Sequence, residues 1–184
     1  MKRRFSAIVL GAALLSSPVM AQQRIPQSGL YIGGALGQST FWDVNNVEFD
    51  LLGIMFSGIA GYRFSPSFRA EAELLYESAD IDNSNADVEV TRFLASAYFD
   101  LNEFDMLGLS GIRPYGGVGG GLANVDFGVD DDTEFTLHGE VGVSAPIVGN
   151  LELVPGVRIS YTTLDGGGDD LWVTQLRAGI RYAF

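Results

Sequence analysis

The sequence has no cysteine, and after Lys2 it has no lysine. The first absence excludes a disulfide-stapled domain. It also excludes a lipoprotein, which needs an acylated cysteine at its cleavage site. The second leaves arginine as the basic residue of the main body, set against 23 acidic residues in the whole chain. No uninterrupted apolar run near ~18 residues follows the N-terminal stretch, so no helical membrane span is expected. Histidine occurs once, as His138. With no cysteine or second histidine to join it, a zinc site lacks its usual ligands. The 24 glycines disfavour a helical bundle. Yet the chain is not of disordered type, because 47% of it is apolar and 11% aromatic.

What is present begins with an export signal. Lys2, Arg3 and Arg4 precede the apolar stretch Ala7 to Leu15, and Val19-Met20-Ala21 supplies a small-residue cleavage pattern. A membrane anchor is the competing reading, but the apolar core is shorter than the ~20 residues of a spanning helix. Cleavage after Ala21 leaves 163 residues, suited to one domain, with eight arginines and a formal charge of −15. Such acidity argues against a nucleic-acid partner, whose phosphates would repel it.

The remainder breaks into eight segments of alternating polarity, at 29–37, 52–64, 67–76, 90–101, 112–123, 135–145, 151–161 and from about Trp172 to the end. In the last, Leu176, Ala178, Ile180, Tyr182 and Phe184 share one face, while Gln175, Arg177, Gly179 and Arg181 share the other. A strand with lipid outside and a polar interior has this pattern. The stretches 38–51, 77–89, 124–134 and 162–171 are polar and acidic, whereas Ser65-Pro66 and Ile147 to Asn150 are tight turns. Long loops at one end and short turns at the other fit an outer-membrane barrel. Outward aromatics gather at segment ends, with Tyr62, Phe64, Phe68, Phe99, Tyr182 and Phe184 at one rim and Phe56, Tyr76, Phe135, Tyr161 and Trp172 toward the other. The expected fold is all-β, an eight-stranded antiparallel transmembrane β-barrel over 29–184, with a signal peptide at 1–21 and a lead-in at 22–28.

Leu30-Tyr31-Ile32-Gly33-Gly34-Ala35-Leu36-Gly37 resembles the first strand of the OmpA-like transmembrane domain. Gly61 to Pro66, Phe68 to Glu73 and Arg113 to Gly121 extend the resemblance, and Tyr182-Ala183-Phe184 is similar to the family's assembly signal. The resemblance implies an outer-membrane barrel of the small porin-like group, surrounded by lipid and lipopolysaccharide, whose Tyr182 and Phe184 are read by the barrel-assembly machinery. It also implies a departure from full-length OmpA, since no peptidoglycan-binding domain follows.

Seven arginines point inward by parity: Arg63, Arg69, Arg92, Arg113, Arg158, Arg177 and Arg181. Inward acids are Glu71, Glu73, Asp100, Glu140 and Glu152, and His138 lies on the same side as Glu140. Inward glycines at 33, 37, 117, 119 and 121 would leave room for long side chains. Two readings follow: a lumen filled by ion pairs, or a narrow switchable water path gated by a pair such as Glu71 with a lumen arginine. A wide general pore does not fit eight strands. Catalysis would need a partner for His138, and although Ser96, Ser144 and Ser160 also point inward, parity alone brings none within reach; no enzyme, cofactor or metal is expected. Asp80, Asp82, Asp87 and Glu89, then Asp126, Asp130, Asp131, Asp132 and Glu134, then Asp165, Asp169 and Asp170 form three acidic loops. The first fails as an EF-hand, because Asn85 and Thr91 stand where glycine and glutamate are needed. These loops suit loose divalent cations or a host or surface partner. The Gly116 to Gly121 run lacks the last glycine of a dinucleotide loop, and no helix follows it.

The function expected is structural stabilisation of the envelope with narrow porin-like passage, against the alternative of a surface barrel that binds a partner through its acidic loops. Deleting Phe184 is expected to lower insertion, read as the fraction of protein recovered as folded barrel from outer membranes; normal insertion would remove the assembly role of that residue.

Overall fold

A computed structural model describes residues 28–43, 52–80, 87–106, 109–126, 131–163 and 171–184. The expected signal peptide and nearly all of the lead-in lie outside the described residues. Nine strands are present: β1 (Gly29–Asp43), β2 (Leu52–Ser65), β3 (Phe68–Asp80), β4 (Asp87–Asp100), β5 (Phe104–Met106), β6 (Leu109–Asp126), β7 (Asp131–Val148), β8 (Leu151–Thr162) and β9 (Leu171–Ala183). Eight of them form the wall, each antiparallel to its sequence neighbour; β1 pairs with β9 and β4 with β6, so the ring closes. β5 is a short flap that pairs only with the start of β6.

Closure is dictated by the solvent. In hydrocarbon an unpaired backbone amide costs several kcal/mol, so a spanning sheet cannot leave an edge. Even the terminal residue is held, since the Phe184 amide donates to the Leu30 carbonyl at 3.0 Å. Partners followed around the wall from Gly33 run through Ile59, Glu73, Leu94, Gly121, Thr136, Thr162 and Leu171, and return to β1 at Asp43, ten residues further on. This shear of ten with eight strands fixes the tilt and the narrow bore.

Burial alternates residue by residue, but the usual chemistry is reversed. Leu36, Ile54, Val118 and Leu176 are 64% exposed or more, while Arg69, Arg92 and Arg158 are fully buried. The outward face is the lipid face and the core is the lumen. Both rims carry stacked rings: Phe56 on Tyr76 and Tyr161 on Trp172 at one, Tyr62, Phe64 and Phe68 in series and Tyr182 on Phe184 at the other. The termini and short turns mark the second rim as periplasmic.

The strands overrun the expected bounds. Asp80 pairs with Asp87, Glu89 with Asp126, and Asp126 with Asp131, so these residues extend the ladder where loops were expected. Glu134 also lies in β7, and it is buried. Alternating polarity fades once strands rise past the membrane, because the outward face then meets water instead of lipid, and polarity alone no longer marks them as strands. Asp82, Asp130, Asp165, Asp169 and Asp170 lie outside the described residues. At the periplasmic end β7 continues to Val148 and only Gly149 and Asn150 turn, with Gly149 at a φ of 58°.

Some inward glycines are steric necessities. A Cβ on Gly121 would collide with the Phe93 carbonyl of β4, whereas one on outward Gly58 would meet nothing within 4 Å. Gly121→Val should therefore lower barrel stability by about 1–3 kcal/mol, the usual cost of overpacking. Gly58→Ala should leave the urea midpoint unchanged or slightly raised. Denaturant titration in lipid vesicles measures both.

Candidate functional site

The inward positions of the eight wall strands place all thirteen expected lumen residues in buried positions: Arg63, Arg69, Glu71, Glu73, Arg92, Asp100, Arg113, His138, Glu140, Glu152, Arg158, Arg177 and Arg181. Period-two geometry explains this directly, since inward residues on one strand are spaced by two. Glu77 continues the series Glu71, Glu73 on β3 and is also fully buried. Its inward position was hidden because the third segment was ended at Tyr76; extending the alternation by one residue reveals it. With Glu77 and Glu134 included, seven buried carboxylates face seven buried arginines among the described residues.

The charges form two connected clusters and a third pair. Near the periplasm, Glu152 receives Arg113 at 3.1 Å and Arg63 at 3.4 Å, with Ser144 donating at 2.9 Å. Arg69 joins Asp100 at 3.1 Å and also pairs with Glu71, which accepts from Tyr31 at 2.8 Å and lies 3.3 Å from Arg181. At mid-height Glu73 bridges Arg158 at 2.5 Å and Arg177 at 2.6 Å, and Glu140 meets the same arginines at 2.7 and 3.4 Å. Tyr98 and Tyr115 donate to Glu140 at 3.1 and 2.7 Å. Higher still, Glu77 pairs with Arg92 and accepts from Gln175 at 2.7 Å and from Ser39. Some pairs join neighbouring strands, as Arg92 on β4 does with Glu77 on β3, whereas Arg63 with Glu152, Arg158 with Glu73, and Arg177 with Glu73 tie strands that share no ladder.

Tyrosines, rather than arginines, use the space left at Gly61, Gly117 and Gly156. A Cβ on Gly61 would strike the Tyr31 ring, one on Gly117 the Tyr98 ring, and one on Gly156 would come within 2.7 Å of the Tyr115 hydroxyl. Tyr98 also lies under the Arg69 guanidinium, 4.0 Å from its centroid. Gly119 lets His138 cross β6 to reach Ser96: Ser96 Oγ and His138 Nε2 lie 2.9 Å apart, and a Cβ on Gly119 would come within 2.6 Å of both side chains. Sequence parity alone brought no serine within reach of this histidine, and the structure joins one of the three. The pair is buried in the wall-to-wall packing. Ser144 instead serves Glu152, and Ser160 is the cross-strand neighbour of His138 on β8.

Among the described residues no group of three or more histidine, aspartate or glutamate side chains is arranged to hold a metal. The lumen cavity beside Glu71, Glu140, Arg177 and Arg181 measures about 10 Å³, room for about one water.

The family model of the outer membrane protein beta-barrel domain matches residues 7–184. The chain belongs to that family. Among solved structures it is similar to the Neisserial surface protein A, with 25% identity and a TM-score of 0.66 over 85% of this chain and 98% of that one. It shares its fold with Ail, the attachment invasion locus protein of Yersinia pestis, at 17% identity and a TM-score of 0.53, over 85% of this chain and all of that one. The N-terminal barrel of Pseudomonas aeruginosa OprF aligns over 85% of this chain and all of that one, at 15% identity and a TM-score of 0.50. No protein of curated function matches the sequence. These likenesses make the chain an OmpA-like outer-membrane barrel.

Removing one partner of a buried pair leaves the other charge uncompensated. Arg158→Ala should destabilise the barrel by about 3–5 kcal/mol. Adding Glu73→Gln should cost less than the two changes summed, because the sites are coupled. A double-mutant cycle on urea midpoints in vesicles reads this, and strict additivity would show that the two side chains act independently.

Proposed function

We propose that this protein is a structural barrel of the outer membrane whose lumen is closed. The observation that carries this reading is the cross-bore network of Glu73, Glu140, Arg158 and Arg177, which joins opposite walls and leaves space for about one water beside it. Such a network stiffens the ring from within, while the apolar exterior fixes it in lipid and lipopolysaccharide. Passage through this state is limited to what the network admits, so any porin-like role is narrow and needs the arginines to exchange partners. In the same reading residues 1–21 are removed on export, residues 22–28 lead into β1, and the barrel-assembly machinery reads Tyr182 and Phe184. The thirteen lumen residues are then a structural and gating network. No catalytic role is assigned to the Ser96–His138 pair.

A second reading rests on the distribution of charge. All seven arginines among the described residues are buried, whereas Asp43, Asp80, Asp87, Glu89, Asp126, Asp131 and Asp132 lie at the loop-side ends of their strands. The loop end is therefore anionic, which suits divalent cations or a basic surface partner. It does not suit sulfated polyanions such as the heparin analogue found in one Ail complex.

Single-channel recording of the mature chain in planar bilayers tests the main reading. We expect no discrete openings at either of two salt concentrations; reproducible openings would instead make narrow conduction the function. For the second reading, replacing Asp126, Asp130, Asp131 and Asp132 together by asparagine should abolish capture of a basic protein while the barrel still folds, and unaltered capture would discard it.

A further inference from the structure

Above its charged layers the lumen changes character. Phe41, Val90, Ala123 and Val173 are buried in one apolar cluster, with Leu171 packed against it. They come from β1, β4, β6 and β9. In the ring β1 stands four strands from β6, and β9 stands four strands from β4. The cluster therefore joins opposite walls across the bore and is not a patch on one side.

Around it lie paired threonines and the buried Glu134, opposite Ala123. Beneath it polar atoms are shut away from solvent, among them Arg92 Nε, Gln175 Oε1 and Ser160 Oγ, which are buried without a hydrogen-bond partner. On the β7–β8 flank, Thr162 donates to Thr136 at 3.1 Å, and Thr136 donates to the Tyr161 carbonyl at 3.1 Å. Directly beneath, Glu77 is occupied by Gln175, Ser39 and Arg92. A water entering from the loop end would exchange its partners for methyl and ring surface. A narrow apolar constriction excludes water by dewetting, with no charge involved.

We propose that Phe41, Val90, Ala123 and Val173 form a hydrophobic seal at the extracellular mouth, and that this seal stops water and ions entering from the loop side before they reach the ion-pair network below it. The seal makes the lumen a compartment closed toward the outside of the cell. This rests on the closed-lumen reading and locates the closure.

The absence of cysteine allows a clean reporter. Ser160 is buried, and it pairs with Val173 across β8 and β9, immediately below the seal. Ser160→Cys in the full mature barrel, folded in detergent micelles, is treated with a small charged methanethiosulfonate reagent. Folding of each variant is checked by far-ultraviolet circular dichroism and by the gel shift between heated and unheated samples. The expected result is slow labelling in the Ser160→Cys background. Addition of Val90→Thr with Val173→Thr, which keeps shape and adds hydroxyls, should speed labelling by on the order of ten-fold. Phe41→Ser should do the same, and it replaces the double variant if that one does not fold. Glu73→Gln should leave the rate unchanged. Fast labelling before any seal substitution would overturn both the seal and the closed lumen. Slow labelling that only Glu73→Gln accelerates, or that no variant accelerates, would overturn the seal and leave the closed lumen standing.

Discussion

Lipid offers a peptide group nothing to bond with, and the rest of this molecule follows from that constraint. Each strand must find a partner on both sides, so the sheet closes, and β1 must meet β9. The shear of ten then sets a bore in which side chains from opposite walls touch. An apolar filling would satisfy a water-soluble barrel, but here the apolar face is already committed to lipid. The lumen therefore receives the polar residues, at low effective dielectric and with little water. Arginine answers that situation better than lysine, because its planar fork meets two carboxylates at once, as Arg158 and Arg177 do with Glu73 and Glu140.

The matching of seven buried arginines by seven buried carboxylates among the described residues follows the same logic. An uncompensated charge in the bore would cost several kcal/mol, so neutrality of the interior is a condition of folding. Tyrosine hydroxyls and Ser144 occupy the remaining acceptor sites of Glu71, Glu140 and Glu152. The glycines on β6 and β8 supply depth, which lets rings lie flat against backbone in a bore too narrow for them otherwise.

Much of this was legible from period two. Arg63, Arg69, Arg113, Arg158, Arg177 and Arg181 could be assigned to the inside because their neighbours on either side are apolar or aromatic, and Arg92, preceded by Thr91, by its register with Phe93, Ala95 and Ala97. The assignment faltered where that contrast disappears. Glu77 and Glu134 lie where strands leave the membrane, and there an acidic residue reads as loop. Pairing across the bore was also illegible: nothing in the spacing of Glu73 and Arg158, 85 positions apart, announces that they meet. The Ser96–His138 contact depends on Gly119 standing aside, and the glycine run gave a hint only of space, not of what fills it. The apolar cluster of Phe41, Val90, Ala123 and Val173 was hidden for a third reason. Phe41 lies in a stretch that reads as loop, and apolar residues that face a lumen are not set apart from the outward face by polarity.

Segregation of charge has a consequence beyond the single barrel. Since the arginines among the described residues neutralise the interior, the acids of the loop end stand without a counter-charge from those side chains. Among the described residues Asp43, Asp80, Asp87, Glu89, Asp126, Asp131 and Asp132 belong to the loop-side ends of their strands. Two such barrels side by side in one leaflet present like-signed crowns to each other. Their mutual repulsion extends over about a Debye length, ~8 Å at physiological ionic strength. Neighbours are thus held apart or allowed together by the ions around them, and the lateral spacing of the protein in its membrane becomes a quantity set by the medium outside the cell.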